Sequence, residues 1–211
     1  MTTLFDQSIS CSVCGKESQH KGVGSTSSFG STDLDTRPPQ MQRSTISFWV
    51  QECPHCGYVC GSLEKPINLD KDYLETSEYK DFPGEPPVSV LAQRFIRKAR
   101  ISMKKKSYVE AFWDYLHAAW ASDDKKDQAW QIELRKLALQ AMEKFGDDIM
   151  KDSYRVIRAD LLRRSHQFER VVQEYENVRF KDDLLNKIVQ FEILKAKNKD
   201  AETYTVKNVT G

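Results

Sequence analysis

Two Cys-x-x-Cys-Gly segments, Cys11-Ser12-Val13-Cys14-Gly15 and Cys53-Pro54-His55-Cys56-Gly57, constrain this chain more than any other feature. In each, two thiolates separated by two residues can grip one metal ion. The trailing Gly permits the positive-φ turn that points backbone N–H groups at sulfur. Together the four thiolates close a tetrahedral shell with no open position, the arrangement of a structural zinc site. We therefore expect one structural zinc ion on Cys11, Cys14, Cys53 and Cys56, within a small zinc-ribbon β module over residues 1–65.

The phrase Cys-Pro-His-Cys also serves dithiol oxidases of the thioredoxin fold, but that chemistry needs the first Cys at a helix start, where the dipole lowers its pKa. Here Gly57-Tyr58-Val59-Cys60-Gly61 follows, which resists helix formation, so redox catalysis is the weaker reading. His55 is expected to turn its ring to solvent. Cys60, the fifth cysteine, reads as a small buried side chain.

The knuckles are separated by 38 residues, more than a minimal ribbon needs. The run Thr45-Ile46-Ser47-Phe48-Trp49-Val50-Gln51 is rich in β-branched and aromatic residues and predicts a strand. Upstream, Asp33, Asp35, Arg37 and Arg43 either converge on a ligand, as long insertions often do, or form local ion pairs and turns. No His, Ser or third carboxylate completes a catalytic set there, which favours local pairing.

Charge divides the chain. Residues 1–86 hold 7 basic and 12 acidic side chains, a net of −5, and residues 87–211 hold 25 and 19, a net of +6. The division falls in Phe82-Pro83-Gly84-Glu85-Pro86-Pro87, so residues 66–86 are expected to be a linker. Beyond it, apolar residues recur at helical spacing. Six helices are predicted: one from Val88 with Leu91, Phe95 and Ala99 on a face, a second from Tyr108 past Trp120, and a third from Trp130 to Phe145. The others span about Ile149–Arg164, Phe168–Val178 and Asp182–Lys197, leaving 198–211 as a polar tail. The fold class expected is α+β, mainly α, with a helical domain over 87–197 that folds without the metal module.

The second and fifth helices repeat one pattern. Tyr108, Ala111, Tyr115 and Ala118 correspond, 60 residues later, to Phe168, Val171, Tyr175 and Val178, and Ala99 to Ala159. This aromatic-and-small pattern resembles the second helix of tetratricopeptide repeats. It departs from them in lacking the consensus Trp, Gly and closing Pro, and in a spacing well above their about 34 residues. The four-cysteine ribbon, with Trp49-Val50-Gln51-Glu52 entering the second knuckle, followed by such helices, resembles an uncharacterised family of bacterial cytosolic proteins. That resemblance implies an architecture and no chemistry.

The function expected is therefore that of a non-enzymatic adaptor: zinc holds the N-terminal module and the helices present a surface to a protein or peptide. Arg94, Arg97, Arg100, Lys104, Trp113 and Trp120 are the candidate partner-binding residues, although aromatic stripes at this spacing more often form core, and charge runs a solvated face. His117 and His166 are expected to be structural. A nucleic-acid-associated zinc ribbon is the alternative. The net acidity of residues 1–86 is the wrong sign for tracking phosphates, so tight nucleic-acid binding is not expected. The first residues lack a basic cluster followed by an apolar run, and no stretch approaches the ~20 apolar residues of a membrane span. A cytoplasmic protein is expected.

Overall fold

A computed structural model describes residues 1–82 and 87–211. Strands β1 (Thr3–Ser10) and β2 (Glu17–Ser25) form an antiparallel hairpin closed by the first knuckle, with Ser10 opposite Glu17. Phe5 lies across Gly22, where a Cβ would sit 2.4 Å from its ring; only glycine leaves room for the aromatic cover. Strands β3 (Ser28–Phe29) and β4 (Gln40–Met41) form a second small pair. Strands β5 (Gln51–Glu52) and β6 (Val59–Cys60) flank the second knuckle as the third.

The strand predicted over Thr45–Gln51 is not formed. Arg43–Phe48 is a 3-10 helix, and only Gln51–Glu52 is extended. The local β preference loses to packing. The helical turn sets Ile46 into the core and Val50 follows it there just past the helix end, while the Trp49 indole donates to Thr45 Oγ1 at 2.8 Å.

Residues 66–82, expected as linker, are instead built in. They carry a 3-10 turn over Lys71–Glu75 and the short helix α1 (Ser77–Lys80), capped by the Thr76 hydroxyl. Tyr73, Leu74 and Tyr79 are buried, and the Tyr79 hydroxyl donates to the Gly57 carbonyl at 2.8 Å. Residues 83–86 of that expected linker lie outside the described residues.

The six long helices predicted by periodicity are all present: α2 (Val90–Lys104), α3 (Tyr108–Lys125), α4 (Gln128–Met142), α5 (Asp152–Arg164), α6 (Phe168–Tyr175) and α7 (Asp183–Lys197). Helix α3 packs between α2 and α4, and α5 meets α4, α6 and α7. After α2, α3, α5 and α7 the chain turns through one left-handed residue, Lys106, Lys126, His166 and Lys199, which ends the helix and frees the next segment to fold back. The expected tail is docked. Leu34 N–H donates to the Tyr204 carbonyl, Val206 N–H to the Thr32 carbonyl, and α8 (Val206–Thr210) closes the chain.

Two apolar cores result, and each takes side chains from both halves of the sequence. The larger gathers the helices together with Leu34, Ile46, Val50 and Val59. The smaller surrounds the cysteines with Ile9, Tyr58, Leu63 and Tyr79, and receives Ile101 from α2. The two-module expectation meets an interface that is itself core. Among the described residues no helix is long and apolar enough to cross a membrane.

Candidate metal centre

The two knuckles are near copies in backbone geometry. Gly15 N–H donates to Cys11 O at 2.8 Å and Gly57 N–H to Cys53 O at 2.9 Å, while Cys11 N–H and Cys53 N–H donate to Lys16 O and Tyr58 O. Both glycines sit at positive φ, 72° and 71°, as the trailing residue of this turn requires. The copies face each other, with Cys11 Sγ 3.7 Å from Cys56 Sγ and Cys14 Sγ 3.7 Å from Cys53 Sγ. All four sulfurs lie within 4.8 Å of one another, and none is in a disulfide.

Cys11 and Cys53 are buried, Cys14 and Cys56 half-buried. Burial pushes the Cys11 and Cys56 thiols up, whereas the Lys16 N–H pulls Cys14 down to about 7. Four thiolates packed this closely repel one another, and a bound cation is what lets them all ionise. Cys11, Cys14, Cys53 and Cys56 thus form a potential metal-binding site. His55 is exposed and its ring nitrogen meets the Glu17 carbonyl, outside the quartet. Cys60 is buried, with its thiol donating to the Ser62 carbonyl at 2.8 Å.

Of the loop residues, Asp33 and Asp35 are buried and pair internally. Arg43 donates to Asp33 at 2.6 Å, and Arg37 donates to both oxygens of Asp124 on α3 at 2.7 Å. Asp35 Oδ2 accepts from the Trp120 indole at 2.8 Å and from Arg164 at 2.9 Å, with Arg135 3.6 Å away. Asp123 accepts from Arg135 at 2.7 Å and from Arg164 at 2.9 Å. Burial opposes the charge of Asp123, but the two guanidiniums outweigh it and hold its carboxyl below the ordinary range. The expected local pairing is present in Arg43–Asp33 and in the Arg37 N–H that donates to Asp35 Oδ1 at 3.2 Å, while Arg37 with Asp124 and Asp35 with Arg164 also reach across the fold. Arg135, Arg163 and Arg164, all on helices, are the residues that reasoning missed.

The arginines of α2 are partly buried and paired within the chain. Arg94 and Arg97 donate to Glu52, the residue before Cys53, at 2.8 and 2.6 Å. Arg100 donates to the carbonyls of Tyr79 and Asp81, and Lys104 reaches Glu78 at 3.3 Å. Arg97 and Arg100 also lie over the Phe82 ring. Trp120 is buried, and Trp113 is half-buried beside Phe112, His117 and Tyr154. Trp120 is therefore core, Arg97 and Arg100 are held within the chain, and Arg94, Lys104 and Trp113 keep part of their surface exposed.

Fold and site together define a mainly helical protein whose second knuckle is tied through Glu52 to α2 and whose two knuckles present four cysteines at metal-binding distance. The chain belongs to the family described as an uncharacterized protein conserved in bacteria (DUF2225), whose model matches residues 4–199 and so takes in both knuckles and all six long helices. No curated protein and no solved structure matches it.

Proposed function

We propose that this chain is a zinc-binding, non-enzymatic interaction protein of the bacterial cytosol, with one structural zinc per chain on Cys11, Cys14, Cys53 and Cys56. The sulfur geometry carries the metal part. A tetrahedral zinc–thiolate shell with Zn–S of about 2.3 Å has edges of about 3.8 Å, and two opposite edges here are 3.7 Å. Four thiolates complete the shell and leave no position for substrate or water, which is the property of a structural centre.

A tetratricopeptide-like reading of the helices is supported by how the 60-residue repeat is built. Ala99 and Ala159 are both fully buried, as are Ala111 and Val171, and Tyr115 and Tyr175 are buried alike. Lys106 and His166 share φ near 60°, and Ser107 N–H→Ser102 O and Gln167 N–H→Leu162 O are both 2.8 Å. Hairpins of this kind expose one face to a protein or peptide segment, and such a partner is the one proposed. The nucleic-acid alternative draws less support, because residues 1–86 carry a net charge of −5, the wrong sign for tracking phosphates.

Capture of tagged full-length protein from its host, followed by mass spectrometry, tests the adaptor reading. A stoichiometric protein partner that survives nuclease treatment is expected. Recovery of nucleic acid alone, lost on nuclease treatment, would replace the adaptor reading with its alternative.

A further inference from the structure

A cleft of about 480 Å³ opens between the second knuckle and helices α2 and α3. That volume falls within the range of small-molecule sites, roughly 300–1,000 Å³. Tyr58, Ile67, Ile101 and Trp113 give it apolar walls. Asp114, only 1% exposed, also lines it. One carboxylate oxygen, Oδ1, takes the Lys98 ammonium at 2.5 Å; Oδ2 is buried and has no hydrogen-bond partner among the described residues. Nδ1 of His117, one helical turn further along α3, is buried and unpartnered as well.

The charges that line the cleft select what would complete it. Lys65, Lys98 and Lys105 stand against Glu110 and Asp114, three positive and two negative, a surplus of one positive. A plain organic anion would answer that surplus and leave Asp114 Oδ2 without a donor. A plain organic cation would satisfy Oδ2 but raise the surplus and bring no counter-ion to Lys65 and Lys105. A molecule that carries an ammonium, a carboxylate and an apolar body gives the oxygen a donor, the lysines at the mouth a counter-ion and the walls an apolar side chain, and leaves the net charge of the cleft unchanged.

We propose that this cleft binds a free α-amino acid with an apolar side chain, its ammonium on Asp114 Oδ2 and its carboxylate toward the lysines at the mouth. The cleft contains none of the four metal-site cysteines, so this proposal stands apart from the adaptor reading.

Calorimetric titration of the full-length, metal-loaded protein with leucine, methionine and phenylalanine tests it. Saturable binding of at least one of them is expected. Two analogues of phenylalanine, 3-phenylpropionate without the amine and phenethylamine without the carboxylate, should each bind about tenfold more weakly or worse, since each forfeits a charge-assisted contact. Asp114→Asn should lower affinity by a similar factor. That variant also breaks the Lys98 pair, so Lys105→Glu on the exposed rim serves as a second variant that leaves the buried pair intact; it should weaken binding while metal content and the helical spectrum stay unchanged. Absence of binding for all three amino acids at millimolar concentration overturns the proposal. So does 3-phenylpropionate binding as tightly as phenylalanine, or amino-acid affinity that ignores both substitutions.

Discussion

Asp35 and Arg164 stand 129 positions apart in the chain and 2.9 Å apart in the structure, both buried. The pair joins the segment between the knuckles to the end of α5, and Trp120, Arg135 and Asp123 complete the cluster. Burial works against the Arg164 charge, yet Asp123 and Asp35 outweigh it and hold its pKa above the ordinary value. Such a cluster is stable only while complete, because each ion depends on the others for the solvation it gave up.

Asp35→Asn keeps the shape of the side chain and removes its charge, leaving Arg164 short of a counter-ion. A loss of about 3–5 kcal/mol is expected for breaking a buried pair from one side. Thermal or denaturant unfolding of the full chain measures it, and a loss under about 1 kcal/mol would mean that water reaches the cluster freely. For the same reason a fragment of residues 87–211 should not reproduce the native helical domain. It strips Leu34, Ile46, Val50 and Val59 from the larger core as well as Asp35 from the arginines. A cooperative unfolding transition from that fragment, with helix content matching the parent, would contradict this.

Metal analysis of the purified protein should find close to one zinc per chain, and a Cys11→Ser, Cys53→Ser double variant should lose it. The loss should be felt locally. Ile9, Tyr58, Leu63 and Tyr79 pack around the sulfurs, whereas the larger core contains none of the four. Hydrogen exchange is the discriminating measurement: protection should fall in β1 and β6 and persist in α3 and α4. Full metal content in the double variant would end the assignment.

How much of this was legible beforehand follows from the range over which each signal acts. The cysteine quartet declares itself through spacing and trailing glycines, and α2 to α7 through apolar residues at a period their own backbone dictates. The strand expected over Thr45–Gln51 failed because β-branched residues state only a preference, and Ile46 and Val50 had a core to reach. Arg135, Arg163 and Arg164 read as ordinary helix-surface charges because their carboxylate partners arrive from elsewhere. Asp35 comes from the far end of the chain and Glu192 from α7. Only Asp160, three residues before Arg163, left a local trace. The opposite net charges of the two halves were visible, and they meet at Glu52 with Arg94 and Arg97, at Asp35 with Arg164 and at Glu78 with Lys104.

His117 supplies a pH test. It sits among Trp49, Phe95 and Trp120, and burial there lowers its pKa from the ordinary 6.5 to about 3, with Lys98 adding to the effect. Between those values the unfolded chain holds a proton that the folded chain refuses, so this residue's contribution to stability is present above 6.5 and drains away as pH falls. Asp114 acts with the opposite sign. Burial raises its carboxyl to about 6, so its folded form gains protons first, and its contribution grows as pH drops toward the ordinary 3.8. The two largely cancel in the parent. His117→Phe removes one of them, so its stability relative to the parent should climb by about 1.4 kcal/mol per pH unit below 6. Urea unfolding of both proteins at pH 7, 6 and 5 reads the difference, and a pH-independent gap would show that His117 is hydrated.

The last expectation concerns nucleic acid, and it rests on counting cations that are free to act. On α2, Arg94 and Arg97 are committed to Glu52, Lys98 to Asp114, Arg100 to two carbonyls and Lys104 to Glu78. Lys105 and Lys106, at the end of the helix, are exposed. Each phosphate contact contributes about −0.9 to the slope of log affinity against log salt, so roughly two contacts give weak, shallowly salt-dependent binding. Freeing the arginines would require breaking their pairs with Glu52, which lies beside a metal-site cysteine. In about 150 mM salt we therefore expect anisotropy titrations with single-stranded RNA and duplex DNA to show no submicromolar, sequence-selective binding. The paired Lys105→Glu, Lys106→Glu variant should abolish whatever weak binding is seen at low salt. Tight selective binding that survives this variant would place a nucleic-acid surface elsewhere on the fold and overturn the adaptor reading.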